Sequence, residues 1–287
     1  MSNSFSKVSQ SPAATISIFL VLTSSLYAIG IWLVFRLGSA TPLMLSVGLS
    51  AILTCLITRK SLRSLGWSWG SWKYQWFSYL VPLGYTAAAY FFIWVAGFGG
   101  WYNSEFVSEQ RQSYKLETWS DSAVITFQVL LTATVSFILL LPSVLGEELG
   151  WRGLLVPELS KIVPFAGVAL ISGFFWAAWH WPLMIMGIHG NEITPFFYQL
   201  SCFTLCLMSM SVIITYIRLK THSLWPAVVF HMSHNIFLQK YFDPITSANA
   251  NSAWFLDEFG AVLPLGILIL AVIYWRKGNN EFGKTKI

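Results

Sequence analysis

Carboxylates, histidines and an asparagine stand in three places inside otherwise apolar stretches of this 287-residue chain. The first is the run PSVLGEELGWRG from Pro142 to Gly153. Glu148 and Arg152 are one helical turn apart, so they face the same side and can pair. Glu147 is turned about 100° from Glu148 on 3.6-residue geometry and is free to point elsewhere. Two adjacent carboxylates beside one guanidinium resist double ionisation. That suits one carboxylate to structural pairing and the other to general-base work near neutral pH. On charge alone, a cluster among lipid headgroups is an equal alternative.

The second place is SGFFWAAWHWP, Ser172 to Pro182. His180 lies deep in an aromatic stretch, Trp176 is one turn earlier on the same face, and Pro182 frees the carbonyl four residues back. Taken alone, a buried histidine of this kind often serves only as a hydrogen-bonding residue between helices. The third place is SLWPAVVFHMSHN, Ser223 to Asn235. His231 and Asn235 are four apart and offer two donors to one point, as an oxyanion requires; His234 can approach the same face. A polar seam between helices is the competing reading. Together, a carboxylate pair, a buried histidine and a His/Asn turn are the parts of a hydrolase that uses water directly, without a Ser or Cys nucleophile.

The elements that must hold these groups are membrane helices. The composition is 55% hydrophobic and only 10% charged, with 15 Trp and 22 Phe and a mean hydropathy of +0.62. Soluble domains carry about 25% charged residues, so a soluble globule and a disordered chain are both excluded. The long unbroken apolar runs also argue against a membrane β-barrel. What remains is an all-α, polytopic membrane helix bundle. Runs near the roughly 20 residues that span the hydrocarbon core predict about eight transmembrane helices: 14–35, 41–58, 73–97, 122–145, 164–187, 196–217, 223–240 and 260–275. The first run exceeds a signal-peptide core and reads as an uncleaved span. The whole chain, 1–287, reads as one membrane domain whose catalytic core is 122–240. The polar ends, up to about residue 12 and after Lys277, are expected to fray.

Lys and Arg set the orientation. With the N-terminus inside, Lys7, Arg59, Lys60, Arg63, Lys73, Arg152, Lys161, Arg218, Lys220, Arg276, Lys277, Lys284 and Lys286 fall on the inner side, and Arg36, Arg111, Lys115 and Lys240 on the outer. Thirteen against four puts both termini in the cytoplasm. The net charge of +5 then reflects cytoplasmic loops and implies no nucleic-acid partner. Compact size and the lack of a retention signal lead to the expectation of a bacterial plasma membrane. Cys55, Cys202 and Cys206 all fall in spans and read as packing residues rather than disulfide partners or metal ligands.

At the three polar places the chain resembles the CPBP (or ABI) family of intramembrane proteases, whose eukaryotic members are the type II CAAX prenyl endopeptidases. Its motifs are E-E-x-x-x-R, F-x-x-x-H and H-x-x-x-N or -D. Here they stand as Glu147-Glu148-Leu-Gly-Trp-Arg152, Trp176-Ala-Ala-Trp-His180 and His231-Met-Ser-His-Asn235, in order, over about residues 122–240. The resemblance implies a glutamate-dependent membrane endopeptidase in which Glu147, with His180, activates a water while His231 and Asn235 form the oxyanion hole. Glu148 and Arg152 would then buttress the first motif. Trp176 replaces the usual Phe, which bears on pocket shape more than on chemistry. The implied partner is a peptide or protein substrate at the bilayer, prenylated or plain. No cofactor is expected; a zinc ion held by Glu147, His180 and His231 is the minority alternative, against which stands the lack of an H-E-x-x-H helix. The rivals from other classes are a catalytically idle peptide-binding or immunity protein, and a transporter using Glu147, Glu148 and His180 as a proton relay.

One geometric demand follows. Glu147 is expected near the inner end of its span, whereas His180 is about 16 residues, roughly 24 Å of helical rise, beyond the start of its own. They meet only if the fourth helix runs deeper, or if 150–168 forms an interfacial segment broken by Pro157 and Pro164.

Overall fold

The computed structural model describes residues 11–283; Lys7, Lys284 and Lys286, assigned above to the inner side, lie outside them. Described residues form helices and loops with no strand beyond a single bridge between Gly100 and Ser247. Among the described residues, six helices are long and apolar enough to cross a membrane, and the chain is an integral membrane helix bundle. Helix α1 (Pro12–Leu37) opens with the Ser11 side chain accepting from the Ala14 amide, and ends at Gly38. The φ of 63° there is a left-handed turn that glycine enters without a Cβ clash. Next come α2 (Thr41–Ile57), short as its apolar run predicts, and α3 (Trp72–Val95). A loop helix α4 (Ser104–Ser113) leads to α5 (Asp121–Leu139). After the fourth span lie α7 (Phe165–Ile185), α8 (Phe196–Thr221), α9 (Trp225–Phe237) and α10 (Val262–Phe282). A π turn, Leu238–Phe242, carries α9 on to Ile245, which supplies the length the seventh span needs.

Two expectations are corrected. The run after Lys277 does not fray at once: α10 continues to Phe282, and Glu281 receives hydrogen bonds from Lys220 and Tyr216. The fourth span is not one helix over 122–145. The helix breaks at Leu140 and resumes as α6, which begins at Leu141–Glu148, passes through a π turn at Leu149–Leu155 and ends with Val156–Leu159. Pro142 fits the first turn of α6, where its missing N–H costs nothing, but it could not sit inside an unbroken helix without removing a bond.

Helix α6, residues 141–159, is therefore a helix separate from α5. It runs beside α2 from one end to the other: the Thr41 and Ser143 hydroxyls lie 3.0 Å apart, and Lys60 meets Glu158 at 3.2 Å. Glycines allow the approach. A Cβ on Gly48 would stand 2.7 Å from the Gly146 carbonyl oxygen, and one on Gly146 would stand 2.9 Å from the Leu45 Cα. The second span thus helps to seat the helix that carries the first motif.

Tertiary ties define the two ends of the bundle. At one end the Leu224 amide donates to the Gly66 carbonyl, the Trp225 indole to the Trp67 carbonyl, and the Arg218 guanidinium to the Arg152 carbonyl. At the other, Gly100 bridges Ser247, Ser252 donates to the Phe98 carbonyl, and Asn103 donates to that of Pro244. Helix α8 packs against α7, α9 and α10 between these ends, and the apolar core is continuous through the bundle.

Candidate active site

The π turn that follows Glu148 shapes the first motif. Wide turns of this kind interrupt helical phase and recur at functional sites. Here Glu147, Glu148 and Arg152 are all fully buried, at 0% exposure, which none of them would tolerate without partners. Arg152 Nη1 donates to Glu148 Oε1 at 2.8 Å, as the four-residue spacing predicts. His231 Nδ1 donates to the same oxygen at 2.9 Å, bringing α9 onto α6. The guanidinium carbon of Arg152 sits 4.0 Å from the centroid of the Trp176 ring, a cation–π contact that partly replaces lost hydration. Glu148 and Arg152 thus form a buried brace joining α6, α7 and α9.

Glu147 turns away from that brace, as the 100° rotation implies. Its Oε2 accepts the Trp176 indole N–H at 2.8 Å, while Oε1 has no partner among the described residues. The Trp176 ring also meets the His231 ring edge to face, centroids 5.1 Å apart. His180, one turn on, donates Nδ1–H to the Trp176 carbonyl at 2.9 Å. That bond fixes the tautomer and leaves the Nε2 lone pair free to accept a proton.

Glu147, Trp176, His180, His231 and Asn235 all line one cavity of about 360 Å³. The depth conflict anticipated from the sequence is resolved by α6. Glu147 lies four residues past Ser143, near the start of that helix, and His180 lies near the finish of α7, so both occupy the same half of the bundle. The alternative of an interfacial 150–168 segment is overturned, since Leu149 to Val156 are buried within α6. Glu148 and Arg152 do not line the cavity. Among the described residues, no three His, Cys, Asp or Glu side chains converge as a metal-ligand set.

Several residues of the cavity escaped the sequence reading. Thr41, Leu43 and Met44 enter from α2, Gln239 and Lys240 from the turn after α9, His189 from the α7–α8 loop and Glu258 from the α9–α10 loop. Glu258 Oε1 accepts from His234 Nε2 and Gln239 Nε2, both at 3.3 Å. The Tyr85 hydroxyl donates to His234 Nδ1 at 2.7 Å. His234 is thereby committed to this chain rather than to the face shared by His231 and Asn235. Burial raises the Glu258 carboxyl, but the His234 hydrogen bond and the charges of His234 and His189 outweigh it, leaving Glu258 below its ordinary range. Burial among Phe203, Phe259 and the His180 ring lowers the His189 imidazole, with Glu258 opposing. The only available signal for Glu258 was a carboxylate at the border of an apolar run. For His189 there was none beyond residue type.

With this geometry in place, comparison with known proteins points the same way. Residues 127–237 match the family described as type II CAAX prenyl endopeptidase, Rce1-like. The CAAX prenyl protease 2 of Methanococcus maripaludis is 35% identical over 106 residues, which are 36% of this chain and 38% of that protein. The match thus spans well under half of that relative's length. The family match contains all three motifs and every helix that carries them from α6 to α9. Over residues 127–237 the chain is similar to the Rce1-like type II CAAX prenyl endopeptidases.

Proposed function

We propose that this chain is a membrane endopeptidase that hydrolyses a peptide bond of a polypeptide substrate at the bilayer, in the manner of CAAX processing, with water as the nucleophile. The observation that carries the reading is the shared cavity: Glu147, His180, His231 and Asn235, from three separate segments, face one volume of about 360 Å³. Glu147 Oε1, without a partner among the described residues, and His180 Nε2 are the two acceptors for a water's protons. The water oxygen attacks the carbonyl carbon, its proton passes to this pair, and the negative oxygen faces His231 and Asn235. Collapse breaks the C–N bond, and the held proton goes to the departing amine.

The tautomer of His231 sharpens its role. With Nδ1–H directed at Glu148, Nε2 can donate to an oxyanion only as the imidazolium. That form would balance the two buried carboxylates against one guanidinium. Glu148 and Arg152 support the site by holding His231 and Trp176, and the reaction as drawn needs no metal. Both termini lie in the cytoplasm by the charge bias, and the host membrane is a bacterial plasma membrane. Prenylated and plain peptides are both admissible substrates on these grounds.

The test is cleavage of C-terminal peptides, prenylated and plain, by the purified protein in detergent, read by mass spectrometry. Cleavage lost in Glu147→Ala and indifferent to a chelator is the expected result. Loss of cleavage with chelator and recovery with zinc would overturn the metal-free mechanism. No cleavage of any peptide, by wild type and variant alike, would favour a protein that binds peptides without turnover.

A further inference from the structure

The residues lining the cavity run from the middle of the bundle to one of its ends. The lining draws on the starts of α2 and α6, the finish of α7 from Trp176 to Leu183, α8 from Phe203 to Met210, and α9 from His231 onward. Its loop residues, Ala40, His189 and Glu258, lie in connections at that end. Its exposed rim is Ala40, Gln239 and Lys240, whereas Glu147, Trp176, Met210 and His231 at its floor are buried. No lining residue comes from the loops 58–71, 160–164 or 222–224 at the opposite end.

That opposite end is where the basic residues gather: Arg59, Lys60, Arg63, Lys161, Arg218 and Lys220 lie in or beside its short loops, with Arg276 and Lys277 near the end of α10. The cavity end holds Arg36, Arg111, Lys115 and Lys240. Short loops rich in Lys and Arg stay in the cytoplasm. The longest loop at the cavity end, residues 96–120, is well below the length, about 60 residues, at which the rule fails.

We infer that the cavity opens on the non-cytoplasmic face of the membrane and takes a polypeptide segment that has already crossed it, rather than the prenylated tail of a cytosolic protein. Such a tail sits in the inner leaflet with its carboxylate among the inner headgroups. Reaching Glu147 from there would require that charge to traverse the hydrocarbon core, where ionised groups cost several kcal/mol at least. A segment emerging on the outer side meets the rim at Lys240 and Gln239 directly. The chemistry of cleavage rests on the endopeptidase reading; the side of opening does not.

Two arms separate these. In a variant with Cys55, Cys202 and Cys206 replaced by alanine, single cysteines are introduced as Glu192→Cys at the cavity end and Arg63→Cys at the basic end. A membrane-impermeant maleimide added to intact spheroplasts should label Glu192→Cys, and label Arg63→Cys only after permeabilisation. The reverse pattern overturns the inference. Should the cysteine-free chain fail to fold, alkaline phosphatase and green fluorescent protein fused after Ile287 give the same reading: fluorescence with inactive phosphatase is expected, and active phosphatase overturns it. In the second arm, a plain peptide panel and a farnesylated one are added to sealed vesicles of known orientation, with Glu147→Gln as control. Cleavage in right-side-out vesicles alone is expected, and cleavage in inside-out vesicles alone overturns the inference. No cleavage from either side, with labelling as expected, sinks the endopeptidase reading and leaves the sidedness standing.

Discussion

Trp176 touches four of the residues gathered at the candidate site. It gives its N–H to Glu147, its face to Arg152, its edge to His231 and its carbonyl to His180. The family pattern has Phe at this position, which supplies a face and an edge but no donor. Trp176→Phe should keep the brace and lose the bond to Glu147, a change of about 1–3 kcal/mol for a carboxylate left short of a partner. Turnover is expected to fall roughly 10-fold or more with KM little changed, and the thermal midpoint to move less than in Trp176→Leu, which also removes the aromatic face over Arg152. Arg152→Ala should instead act on stability, by about 3–5 kcal/mol, because it strands a buried carboxylate; Arg152→Leu combined with Glu148→Leu should melt higher than Arg152→Ala alone. The four-residue spacing made the Glu148–Arg152 pair legible in the sequence. The indole bond was not, since it links residues 29 positions apart on helices whose relative rotation no spacing sets. His189 yields a pH prediction. Its folded value is lowered by burial while the unfolded imidazole titrates near 6.5, so the unfolded chain binds more protons below that point and stability falls as pH drops through about 6.5. A shallower loss in His189→Gln, followed by thermal melts in detergent between pH 5 and 8, checks it.

At the scale of elements, the helix that carries the first motif was the least legible. Apolar runs located α1, α3, α7 and α8 within a few residues, because length and hydropathy alone decide a span. They could not show that 121–159 divides at Leu140, nor that a π turn follows Glu148. Both depend on where Pro142 meets a neighbouring helix and on how Arg152 finds Glu148. The α2–α6 contact settles the depth of Glu147, and it rests on backbone approach at Gly48 and Gly146. An added methyl at either position strikes backbone that cannot rotate aside, as in other small-residue helix contacts in membranes. Gly146→Ala should therefore push α6 off α2, lowering the thermal midpoint and moving Glu147 out of register with His180. Gly266→Ala, whose Cβ would meet nothing within 4 Å, is the matched control and should leave both unchanged. Equal loss of activity in the two variants would show that the α2–α6 contact does not set the site.

For the whole molecule, the mouth of the cavity is bordered by connections that make their own ties to the bundle. The α9–α10 loop is held to α3 and its following loop through Trp94 to Thr246, Ser252 to Phe98 and Asn249 to Gly97. One chain runs from that loop into the catalytic helices: Glu258 accepts from His234, and His234 accepts from Tyr85 on α3. His234 is three residues from His231, so the loop and the proposed oxyanion pair share α9. The sequence placed His234 near the site but could not assign its partners, which lie 24 and 149 positions away. Removing the carboxylate tests whether this chain does more than fill space. Glu258→Ala leaves His234 Nε2 without its acceptor and frees the loop at one point, while Glu147, His180 and the Glu148–Arg152 brace keep their hydrogen bonds. Hydrogen exchange should rise across 246–261 and remain unchanged in α6 and α7, because a segment opens locally where its own ties to the bundle are weakest. KM for peptide cleavage should rise more than turnover falls, the mark of a mouth that positions substrate rather than one that supplies chemistry. Turnover falling with KM fixed, and exchange rising in α6 as well, would instead make Glu258 part of the structural support of the catalytic cluster.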